Sequence, residues 1–259
     1  MDPQTIINFD NHPIIDQDFR SACRGTLNRD GVLVLPNFLR TEAIGTVLQE
    51  GNTLRPQAYF CRQEHTVYLS PPSSDFPADH PRNRMVISSK GCITDDVVPR
   101  RSPLRFLYND DTFKDFLCEV LNEKALYPYA DPLSSINLHY ADPGQELGWH
   151  FDNSAFAITL MIQQPERGGD FEYVGNMRDA DRQEMNFEGV EKVLNGEIPA
   201  NQLNMNAGAL VLFRGRNAIH RVSPVEGQRT RMLVVLAYNA KSGISLEETA
   251  RMTFYGRLS

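Results

Sequence analysis

Residues 148–163 read GWHFDNSAFAITLMIQ, two short apolar runs joined through a polar His-Phe-Asp step. Upstream stands SSINLHY (134–140), closed by ADPG; downstream come FEYV (171–174), GALVLF (208–213), AIHRV (218–222) and RTRMLVVLAYN (229–239). Each run is short, rich in β-branched and aromatic residues, and bounded by Gly, Pro, Asn or Asp. Strands spaced in this way predict an antiparallel sandwich or jelly roll, so the chain reads as mainly β with flanking helices gathered in its amino-terminal half.

On an extended strand, residues i and i+2 project from one face, so His150 and Asp152 point together. His220 lies on a later strand that an antiparallel jelly roll can lay alongside the first. Two His and one carboxylate with the opposite face open form the ligand set of mononuclear non-haem Fe(II) oxygenases. A lone H-x-D is common and ordinarily polar surface; what singles this one out is the order GGDFEYV, GALVLF, H-R-V-x-P-V and then a strand bearing Arg229 and Arg231.

With these elements in this order, the chain resembles the Fe(II)- and 2-oxoglutarate-dependent dioxygenases, and within them the carrier-independent free-amino-acid halogenases and related lysine hydroxylases. The resemblance covers most of the chain: HPR at 80–82, YADPL at 129–133, GWHFDNSAFAITLMIQ, FRGRNAIHRVSPVEGQRTR, VLAYN and the terminal FYGR. It implies a double-stranded β-helix core, cupin-like, with Fe(II), 2-oxoglutarate and O2 as cofactors. His150, Asp152 and His220 would hold the metal, and the iron centre would carry the chemistry with no separate acid or base. An arginine about ten residues after His220 would pair with the distal carboxylate of 2-oxoglutarate. Arg229 and Arg231 both qualify; Arg231, followed directly by MLVVLAY, is expected deeper in the barrel, and a guanidinium fork suits a carboxylate. Tyr140, ten residues before His150, would offer a hydroxyl to the cosubstrate, with His139 pointing the other way as a non-ligating polar residue.

In the halogenases a small residue replaces the carboxylate so that chloride can bind; here Asp152 stands at that place. The resemblance therefore implies hydroxylation of an unactivated C–H bond of a small free amino acid or related metabolite, releasing succinate and CO2. Desaturation or cyclisation with the same cofactors is the alternative. For the substrate, Arg82 is the candidate for its carboxylate and Asp131 or Asn153 for its amine. The run Leu233, Val234, Val235 and the neutral Asn153 disfavour lysine and admit an aliphatic amino acid. A cupin-like enzyme working without 2-oxoglutarate would not need the arginine, and a non-catalytic β-barrel sensor would not need all three ligands.

Composition sets the frame. The chain has 259 residues, 41% hydrophobic and 23% charged, within reach of one globular domain (1–259) with a sizeable core. With 26 Lys and Arg against 33 Asp and Glu, a nucleic-acid partner is disfavoured; no run approaches the roughly 20 apolar residues of a membrane helix. The start of the chain shows no secretory pattern, so the cytoplasm is the expected location, with a small molecule as partner. Four scattered cysteines form no C-x-x-C pair and read as reduced thiols.

Residues 1–133 read as helical support plus a lid-like loop, 134–240 as the β-helix core, and 241–259 as a carboxy-terminal segment. Helices are predicted over 16–29, stopped by Gly31, over 41–48 with Thr41 as N-cap, and over 111–124, with a short one within 182–203. Residues 57–103 show no sustained period and read as a long, partly ordered loop.

Overall fold

The structure is a computed structural model that describes residues 2–259. Its elements run α1 (Gln17–Asp30), β1 (Val32–Leu35), α2 (Thr41–Leu54), β2 (Tyr59–Thr66), β3 (Met85–Ile93), α3 (Pro103–Asn109), α4 (Asp111–Leu121) and β4 (Ile136–Ala141). There follow β5 (Leu147–His150), β6 (Ala157–Gln163), β7 (Arg167–Gly168), β8 (Phe171–Val174), α5 (Phe187–Leu194), β9 (Asn201–Leu203), β10 (Leu210–Phe213), β11 (Ile219–Val222), β12 (Val225–Glu226), β13 (Arg231–Leu236) and α6 (Glu248–Tyr255). Among the described residues no helix is long and apolar enough to cross a membrane.

The main sheet is antiparallel, ordered β1-β10-β6-β13-β4-β3-β5-β11-β8-β9, with β2 paired to β3. It curls into a half-barrel jelly roll. Period-two alternation divides its strands between two environments. On β13, Met232, Val234 and Leu236 join Ile136, Leu138 and Tyr140 of β4 in a core shared with α1 to α4, whereas Leu233 packs with Met161, Val211 and Phe213 on the inner face.

Local chemistry explains the helices. The Asp16 carboxylate accepts from Phe19 N (2.8 Å) to start α1, and Gly31 ends it at φ 71°, a left-handed conformation that costs glycine no Cβ clash. Asp110 caps α4 through Phe113 N (2.8 Å), and Asn122 stops it at φ 60°, short of the predicted residue 124. Phe113, Phe116, Leu117 and Val120 on its inner stripe are fully buried, each contributing about 1.5–3 kcal/mol.

Three expectations change. Thr41 is the first helical residue rather than the cap, which is Arg40. That helix continues past residue 48 to Leu54, and within it Gly51 passes close beneath Met232 and Leu138, where a Cβ would collide with the Met232 sulfur. The third change is the largest. Residues 57–103 are not a loop: β2 and β3 form a long hairpin, and β3 enters the sheet between β4 and β5. The half-barrel thus begins well before residue 134. Within the hairpin's connection, Asn83 receives Ser73 N on its Oδ1 and donates Nδ2 to the carbonyls of Ser73, Phe76 and Pro77, which orders the segment against Phe187 of α5.

Candidate metal centre and its cavity

His150 ends β5 and faces His220 of β11 directly across the ladder, their ring centroids 4.2 Å apart. Asp152 follows just beyond the strand, its Oδ1 3.5 Å from His220 Nε2 and 3.9 Å from His150 Nε2. One ligand atom from each of the three lies within 4.8 Å of the others. Both imidazoles are oriented from behind: His150 Nδ1 donates to Gly148 O (2.7 Å) and His220 Nδ1 to Ala218 O (3.0 Å). Each Nε2 is thereby left to present a lone pair, the arrangement that metal-binding histidines need.

Electrostatics agree. Burial, then the neighbouring His220, pushes His150 down to about 3, which keeps it neutral. Burial opposes ionisation of Asp152, but His220, His150 and Arg178 outweigh it and hold the carboxyl below its ordinary value. Gly215 closes the site from one side, its carbonyl receiving Asp152 N at 3.1 Å. A Cβ on Gly215 would run into the Asp152 carboxylate and His220 Cε1, so the backbone can approach this closely only as glycine.

The triad borders a cavity of about 280 Å³ inside the half-barrel. Its lining is mainly apolar, with Leu233, Phe171 and Phe213 among the walls, and it also receives Arg231. Arg231 is 4% exposed, yet Nε and Nη2 have no hydrogen-bond partner. Burial lowers its pKa to about 10, with Asp170 the one acid offsetting that. A buried guanidinium with idle donors calls for an anion. The backbone makes room for its stem at Gly169, where a Cβ would press on Arg231 Cδ at 3.1 Å. The donor set of His150, Asp152 and His220 fits Fe(II), and the idle fork fits a carboxylate reaching from that metal into the barrel.

The other residues singled out by the sequence fare differently. Arg229 is exposed and donates to Pro165 O (3.1 Å), outside the cavity. Tyr140 lies on the helix-packed face of β4, and its hydroxyl donates to Gly51 O (2.7 Å). Tyr140 thus borders the cavity with its hydroxyl already engaged by the backbone of α2, while His139, one residue earlier, lines the cavity beside Lys90 and Arg231. Arg82 lines neither this cavity nor the adjoining one; its Nη2 donates to Pro71 O (3.1 Å), its guanidinium rests over the Tyr68 ring, and its buried Nη1 has no partner. Asp131 is also spent on structure, accepting from Leu133 N, Ser134 Oγ and Leu246 N. Asn153 is exposed and lines an outer cavity of about 330 Å³ that opens beside the triad.

Sequence reasoning passed over a relay behind His150. His65 Nδ1 donates to Thr66 O (3.0 Å), so its Nε2 accepts from Ser88 Oγ (2.7 Å). Ser88 Oγ in turn accepts from Gly148 N (3.0 Å), the residue whose carbonyl orients His150. Lys90, two residues along β3, lines both cavities. The available signal was the period-two spacing of Ser88 and Lys90, obscured because polar side chains here face inward. Arg178, whose Nη2 donates to Asp152 O (3.3 Å) over the Phe151 ring, carried no such signal.

The family model described as Halogenase D matches residues 15–254. No curated protein matches the chain. Among solved structures, it is similar to a 2OG-Fe(II) oxygenase family oxidoreductase from Burkholderia pseudomallei, at 13% identity and TM-score 0.54 over 89% of this chain and 95% of that one. It is also similar to the non-heme alpha ketoglutarate dependent epimerase SnoN from nogalamycin biosynthesis, at 13% identity and TM-score 0.60 over 86% and 81%. A third likeness is to a prolyl hydroxylase from Trichoplax adhaerens in complex with a peptide of hypoxia inducible factor, at 14% identity and TM-score 0.56 over 85% and 89%. At these identities the likenesses speak to the jelly-roll fold.

Proposed function

The chain belongs to the halogenase D family, and from that premise we propose that it is an Fe(II)- and 2-oxoglutarate-dependent oxygenase that hydroxylates a small free amino acid. The observation that carries this reading is the pairing of two features in one cavity. Three metal-ligating atoms converge at its edge, and a buried arginine with idle donors stands within it.

His150 and His220 would hold the metal through Nε2 and Asp152 through one carboxylate oxygen. Arg231 would pair with the distal carboxylate of 2-oxoglutarate, in a cavity that Leu233, Phe171 and Phe213 keep apolar. When bound, the iron with 2-oxoglutarate and O2 would supply the oxidising power for C–H cleavage, with release of succinate and CO2. The protein's share is orientation and a dry, shaped cavity. The family model bears the word halogenase, yet Asp152 occupies the position that must be vacant for chloride, and Gly215 packs against that carboxylate from behind. Hydroxylation follows as the outcome.

The test is succinate formation by anaerobically purified protein supplied with Fe(II), 2-oxoglutarate and then O2, across the twenty amino acids and ornithine, with mass spectrometry of the products. A substrate-dependent burst with a +16 product supports the reading. A chlorinated product in the presence of chloride, or no iron and 2-oxoglutarate binding at all, overturns it.

A further inference from the structure

Besides His150 and Asp152 of the triad, one charged side chain lines both cavities. Lys90 sits in the middle of β3, its Nζ 5.0 Å from the centre of the Phe254 ring on α6. The acceptors within hydrogen-bond reach of Nζ, among the described residues, are the ring nitrogens of His139, with Nδ1 at 3.4 Å. Burial, then Lys90 and Arg231, push His139 well below the ordinary range, so it meets Lys90 as a neutral ring. An ammonium has three N–H donors. At least one of these has no acceptor from the protein.

The charge balance of the lumen is uneven. A divalent metal and Arg231 would be matched by Asp152 and the two carboxylates of 2-oxoglutarate, and Glu146 borders the inner cavity alone, which leaves Lys90 without a carboxylate of its own in the outer one. Asp152 is the one carboxylate whose field bears on Lys90. It is also the one carboxylate among the residues lining the outer cavity, where Gln63, Asn153 and Ser154 are neutral and Leu147, Leu246 and Phe254 apolar.

We propose that Lys90 holds the carboxylate of the substrate, and that the substrate is an amino acid with an uncharged side chain rather than a diamino acid. This rests on the reading of the site as an oxygenase for a small free amino acid. A second ammonium on the substrate would have to be desolvated in the outer cavity, whose one acid, Asp152, is taken up by the metal. The α-ammonium meets no such difficulty, because Asn153 and Ser154 at the mouth are exposed to water. Burial disfavours the charged form of Lys90, and a carboxylate laid against it restores that form.

The experiment is anaerobic calorimetric titration of the Fe(II)·2-oxoglutarate protein with L-leucine, L-norvaline, L-lysine, L-ornithine and the carboxamides of the first two. Wild type should bind leucine or norvaline at least tenfold more tightly than the matching carboxamide. Lys90→Gln should weaken the amino acid about 10- to 100-fold, as loss of a charge-assisted hydrogen bond does, and erase the preference over the carboxamide. Lys90→Arg should keep part of that preference. Affinity for 2-oxoglutarate alone should stay within about threefold of wild type, which also reports that the variant is folded; Lys90→Met gives the same discrimination if Lys90→Gln does not fold.

Unchanged amino-acid affinity in Lys90→Gln overturns the proposal. Equal weakening of 2-oxoglutarate overturns it too, by giving Lys90 to the cosubstrate. Tighter binding of lysine or ornithine than of leucine overturns the side-chain assignment. If wild type binds 2-oxoglutarate but none of the amino acids, the free-amino-acid reading fails and this inference with it.

Discussion

Replacing Arg231 with Met removes the guanidinium while retaining most of the stem, and its consequences run in opposite directions with and without cosubstrate. Burial lowers Arg231 from 12.5 to about 10, and it has idle Nε and Nη2. At about 1.4 kcal/mol per tenfold, that drop is a penalty on the folded state of roughly 3 kcal/mol. A cation whose folded pKa is depressed costs stability at every pH below that folded value, and the cost fades only as pH rises through about 10. At pH 7 the whole penalty applies. Ligand-free Arg231→Met should therefore melt above ligand-free wild type, by up to about 6–12 °C for a chain of this size. With a divalent metal and 2-oxoglutarate the order should reverse. Wild type at a hundredfold excess over Kd gains about 2.7 kcal/mol, whereas the variant, with a buried carboxylate left unpaired, should bind 2-oxoglutarate about 10²- to 10³-fold more weakly. Differential scanning calorimetry of both proteins, with and without 2-oxoglutarate, reads both effects. Wild-type affinity for 2-oxoglutarate in Arg231→Met, or a larger loss in Arg229→Met, would refute the reasoning.

Four further outcomes are expected. Asp152→Ala should abolish hydroxylation and lower iron affinity, and a variant that keeps both would remove Asp152 from the metal set. Gly215→Ala places a methyl against the Asp152 carboxylate; metal affinity by calorimetry should fall about 10- to 100-fold, and an unaffected value would show that the loop yields freely. Ser88→Ala strips Gly148 N and His65 of their shared partner, so metal affinity should drop about tenfold, whereas a change in melting temperature alone would make the relay purely structural. For Asp131, burial opposes ionisation, but Leu246 N, Ser134 Oγ and Leu133 N prevail and hold the carboxyl below its ordinary value. A depressed carboxylate contributes stability that is present above its unfolded pKa and lost as pH falls through its folded one. Asp131→Asn should thus cost about 1–3 kcal/mol at pH 7, the gap closing at acid pH in chemical denaturation; an undiminished gap there would point away from the carboxylate's charge.

The sequence by itself determined the jelly-roll class and pointed to the candidate ligand triad. The class rests on strand runs bounded by turn residues; His150 and Asp152 come from their spacing of two on one extended segment, and His220 from the order of the later strands and the family resemblance. The sequence also ranked Arg231 over Arg229, since Arg231 is followed directly by the apolar run MLVVLAY, and the structure begins that strand at Arg231. What it left to tertiary structure was which strand face looks inward. A period of two says which residues share a face, and the usual rule then sends polar ones to water. Here the inward side surrounds cavities built for charged ligands, so Lys90 and His139 line the inner one and Ser88 the outer, while the Tyr140 hydroxyl bonds to Gly51 of α2. For the same reason β2 and β3 read as a loop, their polar inward positions interrupting the apolar run. Asp131 looks like a substrate residue in one dimension, but the amides of Leu133 and Leu246 claim it once the chain is folded, whereas Arg82 gives Nη2 to Pro71 O and keeps a buried Nη1 unpaired. Hydrogen bonds between residues far apart in the chain, such as Leu246 N to Asp131 or Tyr140 to Gly51, exist only after the half-barrel has curled, and they decide which polar groups remain free for a ligand.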